Sequence, residues 1–234
     1  MTVRESLIFA VRARLRPFSL ADEKKVAFAT KIMNLLELDE YADMLVGDEA
    51  NGEGLPKHAR KRLTVGVELA ANPSILFSDE PTSGLDSLSA ATVVSCLKKA
   101  ATVQGVTVVC TIHQPSREVF TAFDNLLLLK KGGICVYNGA IADLNDYLTA
   151  AGDSYSIPKE ANPADHTLDV FCGSKGVGVD WVQRYRSSDM MKKIATDINR
   201  PSSGEISVDS KPLSFANQLH LVLQRQVISH WRTK

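Results

Sequence analysis

Apolar side chains recur at helical spacing over the first 72 residues. Val3, Leu7, Ile8 and Val11 share one face of a segment over 2–16, which predicts a helix stopped by Pro17. Ser19 is a candidate N-cap for a second helix to about residue 38, with Val26, Ala29, Ile32, Met33 and Leu36 on one face. A short helix is predicted near 41–45 and a Gly-rich acidic loop over 47–54, and Pro56 suits the first turn of a helix to about residue 71. After Pro73 the pattern changes. Short apolar runs at 75–78, 106–112 and 126–129 read as buried parallel strands, with a helix over 89–101 between the first two. That spacing is one βαβ unit and most of another. Gly132 and Gly133 lead into a hairpin strand over 134–137, and residues 142–151 read as a helix. The stretch 152–175, rich in Pro, Gly and Asp, reads as a surface excursion. A helix over 181–198 and a polar linker over 200–211 follow. Last comes an amphipathic helix over 214–231, with Phe215, Leu219, Val222, Leu223 and Val227 along one side.

The expected fold class is therefore α/β. Its parts are a helical subdomain (1–72), the C-terminal part of a parallel-sheet core (73–150), a linker or surface region (151–213) and an amphipathic helix (214–234).

Charge narrows the function. Lys plus Arg and Asp plus Glu each number 27, so the net charge is zero, which argues against a dedicated nucleic-acid binder. Lys57, His58, Arg60, Lys61 and Arg62 do form a basic cluster, which reads as a solvated helix start near phosphates. No apolar run reaches 18 residues, so the chain is not expected to cross a membrane by itself. Arg4, Glu5, Arg12, Arg14 and Arg16 interrupt any signal-peptide core, so none is expected. Cys96, Cys110, Cys135 and Cys172 lack metal or disulfide spacing and read as reduced thiols, with Cys110 in a buried strand.

Chemistry concentrates where the strands end. The run Ile75-Leu76-Phe77-Ser78 stops at Asp79 and Glu80, and Pro81-Thr82-Ser83-Gly84-Leu85-Asp86 follows. His113 stands at the end of the next strand. An isolated Asp-Glu pair after a strand is commonly a solvated turn. Two carboxylates and a histidine at neighbouring strand ends are different, because ligands of open α/β sheets gather there. Phosphoryl transfer to water needs a metal on the phosphates, a residue that positions the water and a γ-phosphate contact. No Gly-x-x-x-x-Gly-Lys-Ser/Thr phosphate loop occurs in the 234 residues.

Pro81-Thr82-Ser83-Gly84-Leu85-Asp86 and His113-Gln114-Pro115-Ser116 resemble motifs of the ATP-binding cassette (ABC) transporter G subfamily, in its pleiotropic drug resistance branch. So do Gly52-Glu53-Gly54-Leu55, the run from Arg60 to Gly66, and Asn162-Pro163-Ala164-Asp165. The start of the chain is similar to the segment after the family's Q-loop, and residues 218–234 to its connecting helix. The resemblance implies a partial nucleotide-binding domain of the P-loop NTPase, ABC ATPase type, lacking Walker A. ATP and Mg2+ are the implied cofactors. Asp79 would be the Walker B aspartate, holding Mg2+ through water. Glu80 would polarise the attacking water, and His113 would contact the γ-phosphate with Gln114 beside it. Ser83 and Asp86 would belong to the D-loop.

One motif departs from the family pattern. Where the signature has Leu-Ser-Gly-Gly-Gln, this chain has Leu55, Pro56, Lys57, His58 and Ala59. Pro56 removes a hydroxyl and an N–H, and Lys57 and His58 place side chains where glycines let backbone approach phosphate. The resemblance thus implies the second of two paired domains, with Asp79, Glu80 and His113 serving a competent site and the altered signature facing a slow or inert one. The implied partners are a second nucleotide-binding domain and a transmembrane domain, at the cytoplasmic face of a membrane. The whole would be an exporter of a drug, lipid or other hydrophobic compound, and the isolated chain would be inactive. A non-catalytic regulatory fragment and a soluble ABC ATPase of DNA repair or translation are the alternatives.

Overall fold

A computed structural model of the chain describes residues 1–16, 18–47, 54–200 and 213–232. Pro17, most of the acidic loop with Gly52 and Glu53, nearly all of the polar linker, and Thr233 and Lys234 lie outside the described residues. The chain divides into two compact units, Met1–His113 with Ser207–Lys234, and Gln114–Ile206. The expected boundary at 72/73 falls inside the first.

The first unit is built on helices. α1 (Val3–Arg14) begins with a capping box, in which the Thr2 hydroxyl accepts from the Glu5 N–H while the Glu5 carboxylate accepts from the Thr2 N–H. α2 runs over Asp22–Leu35 from Ala21, so Ser19 is not its cap. The short helix expected near 41–45 is a 3-10 turn at Asp39–Tyr41. α3 (Lys57–Leu69) takes Pro56 as its N-cap, one position before the place expected for it. Val3, Leu7, Val11, Ile32, Leu36, Leu63 and Leu69 fill the core. Gly66 lets the helices close, since a Cβ there would lie 2.8 Å from Leu36 Cδ1 and 2.9 Å from Leu7 Cδ2.

Arg62 corrects the reading of the basic cluster. It is buried, at 4% exposure, and its Nη1 donates to the carbonyls of Leu36 (3.0 Å) and Glu37 (2.8 Å). A guanidinium here satisfies carbonyl groups that the end of α2 leaves without intrahelical partners.

β1 (Ile75–Asp79) pairs in parallel with β2 (Thr107–Thr111), and α4 (Ser87–Gln104) connects them. Asp86 caps α4, and Gly105, at φ 69°, ends it. Only one face of this sheet is covered among the described residues. Leu76 is buried, whereas Phe77 is 74% exposed and Ile75 and Val109 are exposed beside it. The expectation of buried strands therefore fails on that face. α10 (Phe215–Arg232) also belongs to this unit. Phe215, Leu219, Val222, Leu223 and Val227 are exposed on it, and the Arg225 guanidinium stacks 5.3 Å from the Phe9 ring centroid.

In the second unit, α5 (Arg117–Thr121) leads into β3 (Asn125–Lys130). β3 is antiparallel to β4 (Ile134–Ala140), in a sheet separate from β1 and β2. The third parallel strand expected at 126–129 is therefore one arm of a hairpin turned at Gly132 and Gly133. α6 (Leu144–Thr149) follows a 3-10 turn. The stretch expected as a surface excursion holds α7 (Pro163–Phe171), whose Ala164, Val170 and Phe171 are core residues. Asn162 caps it and Pro163 occupies its first turn. The helix expected over 181–198 is two, α8 (Trp181–Ser187) and α9 (Asp189–Ile198). Ser188, extended at φ −70° and ψ 153°, caps the second by accepting from the Met191 N–H and donates to the Tyr185 carbonyl.

Candidate nucleotide site

Strand register builds the site. Asp79 ends β1 and Thr111 ends β2, and the two are direct partners across the parallel pair. The Thr111 hydroxyl donates to Asp79 Oδ1 at 2.5 Å, and Thr111 Oγ1 also accepts the Glu80 N–H at 2.9 Å. Glu80 has left the strand and sits at φ 44°, in the left-handed region that a glutamate rarely adopts. A residue held there costs about 1–3 kcal/mol, and such residues cluster at functional sites. Both carboxylates are exposed.

Past Glu80 the chain turns tightly. The Ser83 N–H donates to the Glu80 carbonyl at 3.1 Å, and Gly84 carries the positive φ of 70° that the turn requires. Asp86 closes the turn as the α4 cap, accepting from the Ser89 N–H at 3.0 Å and from the Ser89 hydroxyl at 2.8 Å. The Ser89 backbone bond, then the hydroxyl bond, holds its carboxyl below the usual range. Asp86 therefore has a structural task in this turn.

His113 lies two residues beyond Thr111 and is exposed. Among the described residues it makes no hydrogen bond to Asp79 or Glu80. The register places it two residues past the partner of Asp79 in β2. Gln114, next in the chain, is also left-handed, at φ 45°.

The segment in the signature position divides into buried and exposed parts. Leu55 and Ala59 are buried, and Pro56 and Lys57 are exposed. His58 is half-buried, its Nε2 3.4 Å from the Tyr41 hydroxyl. Lys57 reaches the turn at Gly84, with its Nζ 2.6 Å from where a Gly84 Cβ would stand. The structure thus joins Asp79, Glu80 and Thr111 in one network and Lys57 with Gly84 in one contact. Thr111 is the site residue that sequence reasoning missed. It lay inside the predicted strand, and only the register reveals its role.

The donor chemistry suits Mg2+, a hard cation that typically takes one or two carboxylates and leaves the rest of its shell to water and substrate phosphate. Asp79 is the residue that would hold it. Among the described residues, no group of three or more His, Cys, Asp or Glu exists that could hold an ion by protein ligands alone.

The whole chain aligns at 40% identity over 245 residues with ABC transporter G family member 38 of Oryza sativa subsp. japonica. Over 249 residues, 99% of the chain, it is 41% identical to the ABC multidrug transporter SNQ2 of Candida glabrata. The chain is a homologue of the G-family ABC transporters. It spans 16% of the length of each of these two relatives. The family model for ABC-2 type transporters matches residues 113–193. Two solved structures align with part of the chain. One is the dimeric post-hydrolysis state of the ATP-binding cassette MJ0796 bound to ADP and Pi (TM-score 0.42, 23% identity, 54% of this chain and 51% of that one). The other is an inward-facing metal-chelate type ABC transporter (TM-score 0.48, 24% identity, 64% of this chain and 58% of that one). Among the described residues, no helix of this G-family homologue is long and apolar enough to cross a membrane.

Proposed function

We propose that this chain is the ATP-binding and ATP-hydrolysing portion of an ABC exporter that couples hydrolysis to efflux of a drug, lipid or other hydrophobic compound. The observation that supports this most is the pair Asp79 and Glu80 at the end of β1, fastened to the end of β2 two residues before His113. Water attacks the γ-phosphorus as the bond to the bridging oxygen of ADP breaks. Glu80 orients that water and its carboxylate takes the proton the water gives up. His113 donates to a γ-phosphate oxygen. Asp79 would hold Mg2+, which when bound would neutralise charge on the phosphates.

A second nucleotide-binding domain and a transmembrane domain are the partners in this reading. The exposed apolar side of α10, carrying Phe215 and Val222, suits a place beside a membrane at its cytoplasmic face. Lys57 beside Gly84 fits a signature position rebuilt around charge. The 234-residue chain by itself should show no saturable ATP hydrolysis, because a phosphate loop supplies most phosphate contacts and the pattern does not occur in it. That same observation favours, as the second reading, a non-catalytic regulatory fragment.

The test uses membranes bearing the longest native polypeptide that contains this sequence. ATP hydrolysis there should fall by about 100-fold or more in Glu80→Gln. Hydrolysis that Glu80→Gln leaves intact would favour the non-catalytic reading.

A further inference from the structure

We infer that Thr111 is the positioning residue of this site, fixing Asp79 and Glu80 together through one hydroxyl. The inference rests on the proposed roles of those two carboxylates.

A threonine hydroxyl has one proton to donate and two lone pairs to accept with. The proton is committed to Asp79 Oδ1, at 2.5 Å. A lone pair of Thr111 Oγ1 takes the Glu80 N–H at 2.9 Å. The directions are forced, because an ionised carboxylate only accepts and a backbone N–H only donates. Each bond also addresses a distinct need. Glu80 has just left the β1–β2 ladder, so its N–H would otherwise lack a strand partner. At φ 44° its backbone is in a conformation that surrounding contacts must hold. Asp79 has a carboxylate free to rotate unless one oxygen is tied. With Oδ1 tied to Thr111, its orientation towards a cation is set by the neighbouring strand.

The strand register makes this arrangement specific. Thr111 is the direct partner of Asp79, and His113 follows two residues later. One side chain therefore sets the metal-holding carboxylate and the backbone of the water-orienting residue, two positions before the histidine. Valine matches threonine in shape but has neither the proton nor the lone pair. Serine keeps both.

The experiment compares Thr111→Val and Thr111→Ser with the parent by two readouts. The first is hydrogen exchange of the Glu80 amide in the 15N-labelled 234-residue chain, with the Val109 amide as an internal reference for folding. Thr111→Val should accelerate exchange at Glu80 by about tenfold or more relative to Val109, while Thr111→Ser stays within about threefold. The second is ATP hydrolysis by the polypeptide in membranes. There Thr111→Val should lower kcat by about tenfold or more with KM for ATP changed less than about twofold, and Thr111→Ser should restore turnover. Unchanged Glu80 exchange in Thr111→Val would overturn the inference, as would full turnover in that variant where Glu80→Gln has none. Accelerated exchange together with hydrolysis indifferent to Glu80→Gln would uphold the positioning and sink the hydrolytic reading instead.

Discussion

The side-chain amide of Asn162 donates to the carbonyl of Pro115 at 2.9 Å, while its oxygen accepts the Ala164 N–H at 3.0 Å. One residue thus caps α7 and fastens the loop that follows His113 and Gln114. Arg117 reinforces the same junction by donating to the carbonyls of Lys159 and Ala161. Two motifs separated by nearly fifty positions in the chain are therefore one piece of structure. Asn162→Ala should destabilise the protein by about 1–2 kcal/mol through loss of both bonds. Asn162→Asp keeps a capping oxygen but cannot donate to Pro115, so it should recover only part of that loss. Urea midpoints of the three proteins check this.

Arg62 leads to a second expectation. Its burial and its two bonds to the end of α2 make it a structural residue. Arg62→Met should cost roughly 2–4 kcal/mol, because carbonyl groups are left without a donor. Arg62→Lys should not restore it fully, since an ammonium lacks the planar fork. Denaturant unfolding monitored by far-UV circular dichroism measures both.

Acid sensitivity should come in part from α1. Arg12 bonds Asp22, and Arg14 bonds Glu68, and each arginine holds its partner's carboxyl below the usual range. A carboxyl with a depressed folded-state value stabilises the fold above its ordinary unfolded value, about 4. That contribution disappears as pH falls through the folded-state value. Both pairs are substantially exposed, so each is worth only about 0.5 kcal/mol after solvent screening. Replacing Glu68 with Gln should lower the urea midpoint slightly at pH 7 and leave it nearly unchanged at pH 2–3.

The cysteines should differ in reactivity. Burial pushes the Cys110 thiol up to about 11 and raises Cys96 as well, while Cys172 is exposed. At pH 8 about one Cys110 thiol in a thousand would be ionised, and the thiolate is the reactive form. Iodoacetamide followed by peptide mass spectrometry should label Cys172 well before Cys110 or Cys96.

Much of this was legible in the sequence, and the misses share a physical cause. Asp79 and Glu80 stand where the end of an apolar run places them, because a strand that buries Leu76 must stop at two adjacent charges. The run Leu126-Leu127-Leu128-Leu129 announced a strand correctly, but an apolar run does not specify its pairing partner. The two glycines after it allowed the hairpin that decides the matter. The stretch around Asn162 was hidden by its composition. A cap followed by proline reads as loop, although the same pair opens a helix that buries Val170 and Phe171. Ser188 breaks a helix with its hydroxyl, which apolar spacing does not register. Thr111 was invisible because its importance lies in which residue it faces across the sheet.

In the proposed function, Glu80 acts in hydrolysis once nucleotide is held. Nucleotide trapping in the membrane-borne polypeptide with radiolabelled ATP and Mg2+, comparing the parent with Glu80→Gln, checks this role. The variant should retain bound label as ATP while the parent releases ADP and phosphate. Label converted to ADP in Glu80→Gln as fast as in the parent would contradict it.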